Sequence, residues 1–269
     1  MTDTIRDRAA SLLAAYDAGA PHAPLTDADP GLTIPQAYAI AADLMARRVA
    51  RGERVAGWKI GFTNRTIWDE YDVHAPIWGP MYAGGLVAAG PGTTDLRISH
   101  LHEPRIEPEI AFRMARTPTP DMDEAALLAS IDAVAHGVEI VQSSFPGWRF
   151  RPVDTMASGA LHGAYAHGPW VPVTDPARWL ADLAAFGMTL RCDDGTRDHG
   201  VAANVLDGPL SALRHFVRGL ADCPHGRGIE PGDIITTGTV TRAFPVAPGQ
   251  VWSTALEGLP LPGLTLRCV

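Results

Sequence analysis

The chain has 269 residues, 46% hydrophobic and 19% charged, with a formal net charge of −8 and a pI of about 5.6. This is the composition of a globular protein able to bury a sizeable core. Its acidity argues against nucleic acid or an anionic membrane as a partner, because both call for a basic surface.

In chain order, the first segment reads MTDTIRDRAASLLAAY. It has acidic residues where a signal peptide needs a basic start and an apolar run, and no stretch approaches 18 uncharged apolar residues. Three cysteines, Cys192, Cys223 and Cys268, match no zinc or CxxC spacing. These features together lead us to expect a reducing, cytoplasmic setting and no membrane span.

Residues 5–18 have helical periodicity, with Ile5, Ala9, Leu12, Leu13 and Tyr16 on one face and Gly19 as a stop signal. After a Pro/Asp-rich connector, Thr33 and Gln36 have capping-box spacing with Pro35 in the first turn, which predicts a second helix ending near Gly52. Further helices are predicted over 124–136 and 209–220. Between them lie short strand-like runs broken by Gly and Pro: VAGWKIGF, RIEPEIAFRMA, GVEIV, MTLRCDDG, DIITTGTV, VWSTAL and LTLRCV. Strand–helix alternations are too few for a doubly wound sheet. A helical N-terminal part (1–80) followed by a strand-rich body (81–269), α+β with a β-roll or sandwich core, fits better.

Of the 22 basic residues, 21 are Arg and one, Lys59, is Lys. Lysine can be tuned to give and take protons, whereas arginine stays charged. Lys59 lies in GWKIGFT between Gly57 and Gly61, and glycines in a strand mark close approach of a ligand or another backbone. Burial beside a cation would lower its pKa toward neutrality. The plainer alternatives are codon bias and a lysine whose head reaches the surface.

In RIEPEIAFRMA, residues two apart share a strand face. Glu107, Glu109, Ala111 and Arg113 therefore point one way, and Ile106, Ile110, Phe112 and Met114 the other. Two adjacent carboxylates on a largely buried strand repel and are costly to desolvate; a hard divalent cation would resolve this. The alternative is that both face solvent. Glu139, in the otherwise apolar GVEIV, also needs a partner unless its strand is an edge. Glu107, Glu109 and Glu139 together would make an all-oxygen site for Mg²⁺ or Mn²⁺. A competing zinc site would use His100 and His102. The remaining histidines (His22, His74, His136, His162, His167, His199, His215, His225) show no triad spacing. In DIITTGTV, hydroxyls around Gly238 could line a pocket, although alternating Thr is ordinary strand composition.

GWKIGFT, PRIEPEIAF, HGVEIV, GWRFRPVDTMA and PGDIITTGTVTRAFPVAPG occur in an order that resembles the hydratase/decarboxylase branch of the fumarylacetoacetate hydrolase superfamily, from about residue 35 onward. The resemblance implies a mixed β-roll or sandwich body with a smaller N-terminal α/β segment. It also implies a homo-oligomer built from dimers and a small-molecule 2-oxo acid substrate. It maps Mg²⁺ or Mn²⁺ ligation to Glu107, Glu109 and Glu139, and catalytic acid/base work to Lys59.

Two stretches depart from the branch's pattern. ADNASSG is replaced by ASGALHG (157–163), and the Asp of PDFG is replaced by Ile77 in PIWG. These changes imply a retained metal–enolate core with altered substrate or reaction. His162 is then a candidate replacement acid/base, and Thr63, Trp78, Leu161, Thr237 and Thr239 are candidate substrate contacts. The implied activity is a metal-dependent lyase of hydratase type. The alternatives are decarboxylation of a vinylogous or β-keto acid, C–C hydrolysis using a His–Glu pair, and, in a different class, a non-catalytic subunit.

Overall fold

In the computed structural model, which describes residues 2–65, 68–223 and 227–269, the chain is a mixed α+β protein with curled sheets. Its helices are α1 (Asp3–Ala18), α2 (Leu25–Ala28), α3 (Ile34–Ala50), α4 (Trp68–Tyr71), α5 (Glu124–Leu128), α6 (Pro152–Ala157), α7 (Pro176–Ala185) and α8 (Pro209–Asp222). Its strands are β1 (Val55–Gly61), β2 (Ile77–Tyr82), β3 (Leu86–Ala88), β4 (Thr93–Leu96), β5 (Arg105–Met114), β6 (Ile131–Val141), β7 (His162–His167), β8 (Val171–Pro172), β9 (Gly187–Cys192), β10 (Arg197–Val201), β11 (Ile234–Thr236), β12 (Phe244–Pro245), β13 (Val251–Glu257) and β14 (Thr265–Cys268). His225 lies outside the described residues. No described helix is long and apolar enough to cross a membrane.

The larger sheet runs β2-β1-β11-β5-β6-β7-β3, with β12 beside β5 and β8 beside β6; the smaller runs β10-β9-β13-β14-β4. Leu96, Ile106, Ile140, Leu190, Trp252 and Leu266 fill the core between them. A larger core joins the helices to the main sheet through Trp58, Ile110, Phe112, Phe145 and Phe216. Buried strands of the main sheet explain the near-continuous burial of β1 and β6.

Helix boundaries follow local chemistry. Gly19, at φ 55°, ends α1 in the left-handed conformation that glycine adopts without a Cβ penalty. Gln36 accepts from the Thr33 backbone N–H at 3.0 Å, closing the capping box of α3. Asp123 caps α5 by accepting from Ala126 N at 2.8 Å, but the helix stops at Leu128 instead of running to residue 136. From Ile131 the chain is strand, because β6 pairs antiparallel with β5 from Ile131 through Val141, and ladder pairing with side-chain packing overrides the helical spacing. Helix α7, unmarked by the sequence reading, is capped by Asp175 and starts on Pro176, and it buries Trp179 and Leu183.

The sheet's curvature positions the site. Lys59 on β1 is opposite Thr236 on β11, and Thr236 is opposite Ala111 on β5; β6 lies one strand further. Three strand steps amount to about 14 Å in a flat sheet, a gap that side chains standing off a flat surface would not close. Lys59 Nζ nevertheless lies 3.2 Å from Glu139 Oε2 on β6. Gly57 makes the close approach on β1 possible: a Cβ there would sit 1.9 Å from Ile234 O on β11. The close neighbour at Gly57 is thus backbone rather than a ligand.

Candidate active site

Three carboxylates converge on one face of the main sheet. Glu107 and Glu109 are two apart on β5, and Glu107 is directly opposite Glu139 on β6. Their oxygens lie within 4.8 Å of one another, the one such cluster of His, Cys, Asp and Glu ligand atoms among the described residues. Glu109 and Glu139 are fully buried, and Glu107 keeps partial exposure. Glu109 Oε2 accepts from Gly238 N at 2.8 Å, but among the described residues its Oε1 has no hydrogen-bond partner and Glu139 Oε2 has only the ion pair with Lys59. Buried carboxylate oxygens left without partners are rare, and a hard divalent cation satisfies them. The donor set therefore fits Mg²⁺ or Mn²⁺. His100 and His102, by contrast, lie in the turn between β4 and β5, outside that cluster.

The electrostatics follow from burial and like charge. Burial, with the neighbouring Glu139 opposing the relief from Lys59, pushes Glu107 up to about 7. Burial and both neighbouring carboxylates hold Glu109 well above the carboxylate range. Burial also acts against ionised Glu139, but the Lys59 ammonium and His162 outweigh it and hold it low. For Lys59 itself, burial acts downward and the Glu139, Glu107 and Glu109 charges act upward; the charges win, and Lys59 stays above its ordinary value. That is the balance in the metal-free chain, where three carboxylates surround the ammonium; the lowering expected from the sequence was for a lysine beside a bound cation.

Lys59 is buried and donates to Ala160 O at 3.0 Å. Ala160 and Leu161 both have positive φ, 59° and 63°, a costly conformation for residues with a Cβ. Here it aims the Ala160 carbonyl at the ammonium. Opposite Lys59 on β2 stands Gly79, where a Cβ would meet Gly159 O at 2.2 Å, so the same loop packs directly on the strand.

A cavity of about 220 Å³ opens onto this face. Lys59, Glu107 and Thr63 line it on one side, with Phe62, Ile77, Phe150 and Leu161 as apolar wall and Arg105, Trp148, Thr239 and Arg242 also contributing. Glu109 and Glu139 lie behind it. Thr63, Leu161 and Thr239 thus meet at the cavity. Thr63 Oγ1 is buried without a partner among the described residues, and Gly238 leaves room for it, because a Cβ there would lie 1.8 Å from that oxygen. Trp78 and Thr237 are elsewhere: Trp78 stacks on Tyr38 at 4.7 Å between ring centres, and the Thr237 hydroxyl donates to Ile110 O at 3.0 Å.

His162 bonds Glu139 Oε1 through Nδ1 at 2.7 Å. Its ring lines a second cavity of about 460 Å³ on the side of α1 and α3, together with His100, His102, Tyr16 and Arg48. Sequence reasoning also missed three contributors. His136 bonds Glu109 O through Nδ1 (2.9 Å) and Thr254 Oγ1 through Nε2 (2.7 Å), tying the site strands to β13 of the other sheet. Asn64 lines the cavity. Arg105 shares the strand parity of Glu107 and Glu109, a signal that was present in the sequence.

The fumarylacetoacetate (FAA) hydrolase C-terminal family profile matches residues 72–261. The chain is 33% identical over 263 residues to a 2-keto-4-pentenoate hydratase of Paraburkholderia xenovorans (strain LB400), spanning 96% of this chain and 94% of the relative. It is 31% identical over 227 residues to a 4-oxalocrotonate decarboxylase of a Pseudomonas species, covering 84% of each. In structure it resembles the 4-oxalocrotonate decarboxylase from Pseudomonas putida G7, complexed with magnesium and adipate, with a TM-score of 0.90 and 25% identity over 100% of this chain and 99% of that one.

Proposed function

The chain belongs to the fumarylacetoacetate hydrolase family, and from that premise we propose that it is a divalent-metal-dependent lyase acting on a 2-oxo acid, a hydratase in the sense of its relatives. The observation that carries this reading is the meeting of three carboxylates and the chain's one lysine at a cavity. Glu107, Glu109 and Glu139 hold Mg²⁺ or Mn²⁺. The cation supplies Lewis-acid stabilisation of the negative charge that develops on the substrate's 2-oxo oxygen. Lys59, fixed by Ala160 O, moves the proton at the far carbon of the conjugated chain. Phe62, Ile77 and Leu161 keep bulk water from that carbon.

Decarboxylation is the second reading, and the cavity lining favours it. Among the described residues the lining carries, apart from Glu107 and Lys59, no acid and no imidazole to activate a water, and Ile77 stands where the hydratases place an Asp. Loss of CO₂ needs no such group. The Glu139–His162 pair, which C–C hydrolysis would use as base, opens on the second cavity instead. A homo-oligomer built from dimers and a cytoplasmic location complete the proposal, the latter supported by three free cysteines.

The test is turnover of purified protein with Mg²⁺ on 2-hydroxydienoates and on unsaturated 2-oxo diacids, followed by enol absorbance and CO₂ release. We expect turnover that a chelator abolishes and that Lys59→Ala lowers by 10²–10⁴-fold. No turnover on either class, or turnover unchanged in Lys59→Ala, overturns the proposal.

A further inference from the structure

Arg105 is the first residue of β5 and shares its face with Glu107 and Glu109. Strand rise places its Cα about 7 Å beyond that of Glu107, away from Glu109. Its side chain lines both the cavity and the broader groove at the cavity mouth, where Arg149, Arg151, Trp148 and Phe150 also lie. The guanidinium sits 4.1 Å from the centre of the Trp148 ring. That ring is itself fixed, with its Nε1 donating to Glu103 O at 3.0 Å.

Among the described residues Arg105 makes no ion pair or hydrogen bond with a carboxylate, and Glu107 acts on it through charge alone. The other arginine lining the cavity, Arg242, is engaged with Asp198 at 3.2 Å, and in the groove Arg151 donates to Pro30 O at 2.7 Å. Arg105 is therefore a cation held by an aromatic platform, with its hydrogen-bonding edge uncommitted. It stands one strand repeat from the carboxylate cluster, across an apolar stretch of Phe62, Phe150 and Leu161. A planar guanidinium in such a place matches a carboxylate.

We propose that Arg105 is a specificity-determining residue that receives a second carboxylate, so that the chain prefers unsaturated 2-oxo diacids to the corresponding monoacids. This deepens the lyase reading and rests on it, since the first carboxylate and the 2-oxo group are placed at the Glu107–Glu109–Glu139 end. An extended diacid lies with its apolar chain along the cavity wall and its second carboxylate at the mouth.

The test is calorimetric binding of 2-oxohexanedioate and of 2-oxohexanoate, which differ only in the terminal carboxylate, to the Mg²⁺-loaded protein. We expect the wild type to bind the diacid roughly 10- to 100-fold more tightly, the strength of a charge-assisted pair. Arg105→Gln removes that preference by weakening the diacid alone, and Arg105→Lys restores part of it. Equal binding of the two acids by the wild type, or equal weakening of both in Arg105→Gln, overturns the proposal. Mg²⁺ binding without acid is measured in parallel. Its absence in the wild type defeats the lyase reading, whereas intact Mg²⁺ binding with no diacid preference defeats only the role of Arg105.

Discussion

Glu107 and Glu139 stand directly opposite one another across the β5–β6 ladder. Like charges in that position destabilise a sheet, and here they close on a third carboxylate, with Glu109 and Glu139 fully buried. The arrangement costs stability unless a cation is bound, and this makes the roles of the cluster measurable without any substrate.

Glu109→Gln keeps the shape of the side chain and an oxygen for Gly238 N. At pH 8 we expect the metal-free variant to melt no lower than metal-free wild type, since a carboxyl whose ionisation burial and its neighbours oppose is replaced by a neutral amide of the same shape. We also expect Mg²⁺ to lose its stabilising effect, which in wild type grows with the logarithm of its concentration. Thermal melts with and without Mg²⁺ check this; a metal-free variant melting several degrees lower would mean that the charge itself is structural.

Mg²⁺ affinity will rise with pH through 7, and Glu109, held well above the carboxylate range, carries the rise further. Glu107 titrates near 7 in the metal-free chain, so below that pH the cation must displace its proton. Calorimetry at several pH values, in buffers of different ionisation heat, should show proton release and roughly tenfold weaker binding per pH unit below 7. Affinity constant from pH 6 to 8 would contradict this.

His136 should make the protein acid-sensitive. Burial holds its pKa at about 4, against an ordinary 6.5, with the bond to Glu109 O opposing only in part. The unfolded chain therefore takes up the proton first as pH falls. The stabilisation is complete above pH 6.5 and is lost on going down to 4, a change on the order of 3 kcal/mol. Denaturant unfolding of the Mg²⁺-free protein should show His136→Gln less stable at neutral pH but with a shallower acid slope. The raised Glu107 acts in the opposite direction over part of this window, so the comparison with the variant isolates the histidine.

Asp154 is a structural carboxylate, fully buried. It accepts from Thr26 N (3.0 Å), Thr26 Oγ1 (2.7 Å) and Arg151 N (2.9 Å), pinning α2 to the start of α6. Asp154→Ala strands these donors, and we expect a loss of about 2–4 kcal/mol with Mg²⁺ affinity unchanged at low temperature. Unfolding curves paired with calorimetry separate the two effects.

The carboxylate cluster was legible because strand parity alone puts Glu107 and Glu109 on one face, and a Glu in GVEIV demands a partner. The lysine was legible from composition. Other features depended on non-local facts. The helix–strand change at Ile131 follows from pairing with β5. Ile77 faces the cavity while its neighbour Trp78 turns to Tyr38, an alternation readable only once β2 is known to be a strand. The sign of the Lys59 shift depends on how many carboxylates surround it, and the His162 ring faces a cavity built by α1 and α3, far earlier in the chain.

The bend that carries Lys59 across β11 and β5 to Glu139 has a further consequence. No contiguous stretch of sequence contains the site, so its geometry is a property of the whole sheet. A residue that never touches substrate, such as Gly57 where β1 presses against Ile234, sets the distance between proton donor and carboxylates. Flattening the sheet there would uncouple the two halves of the catalyst while leaving every reacting side chain in place.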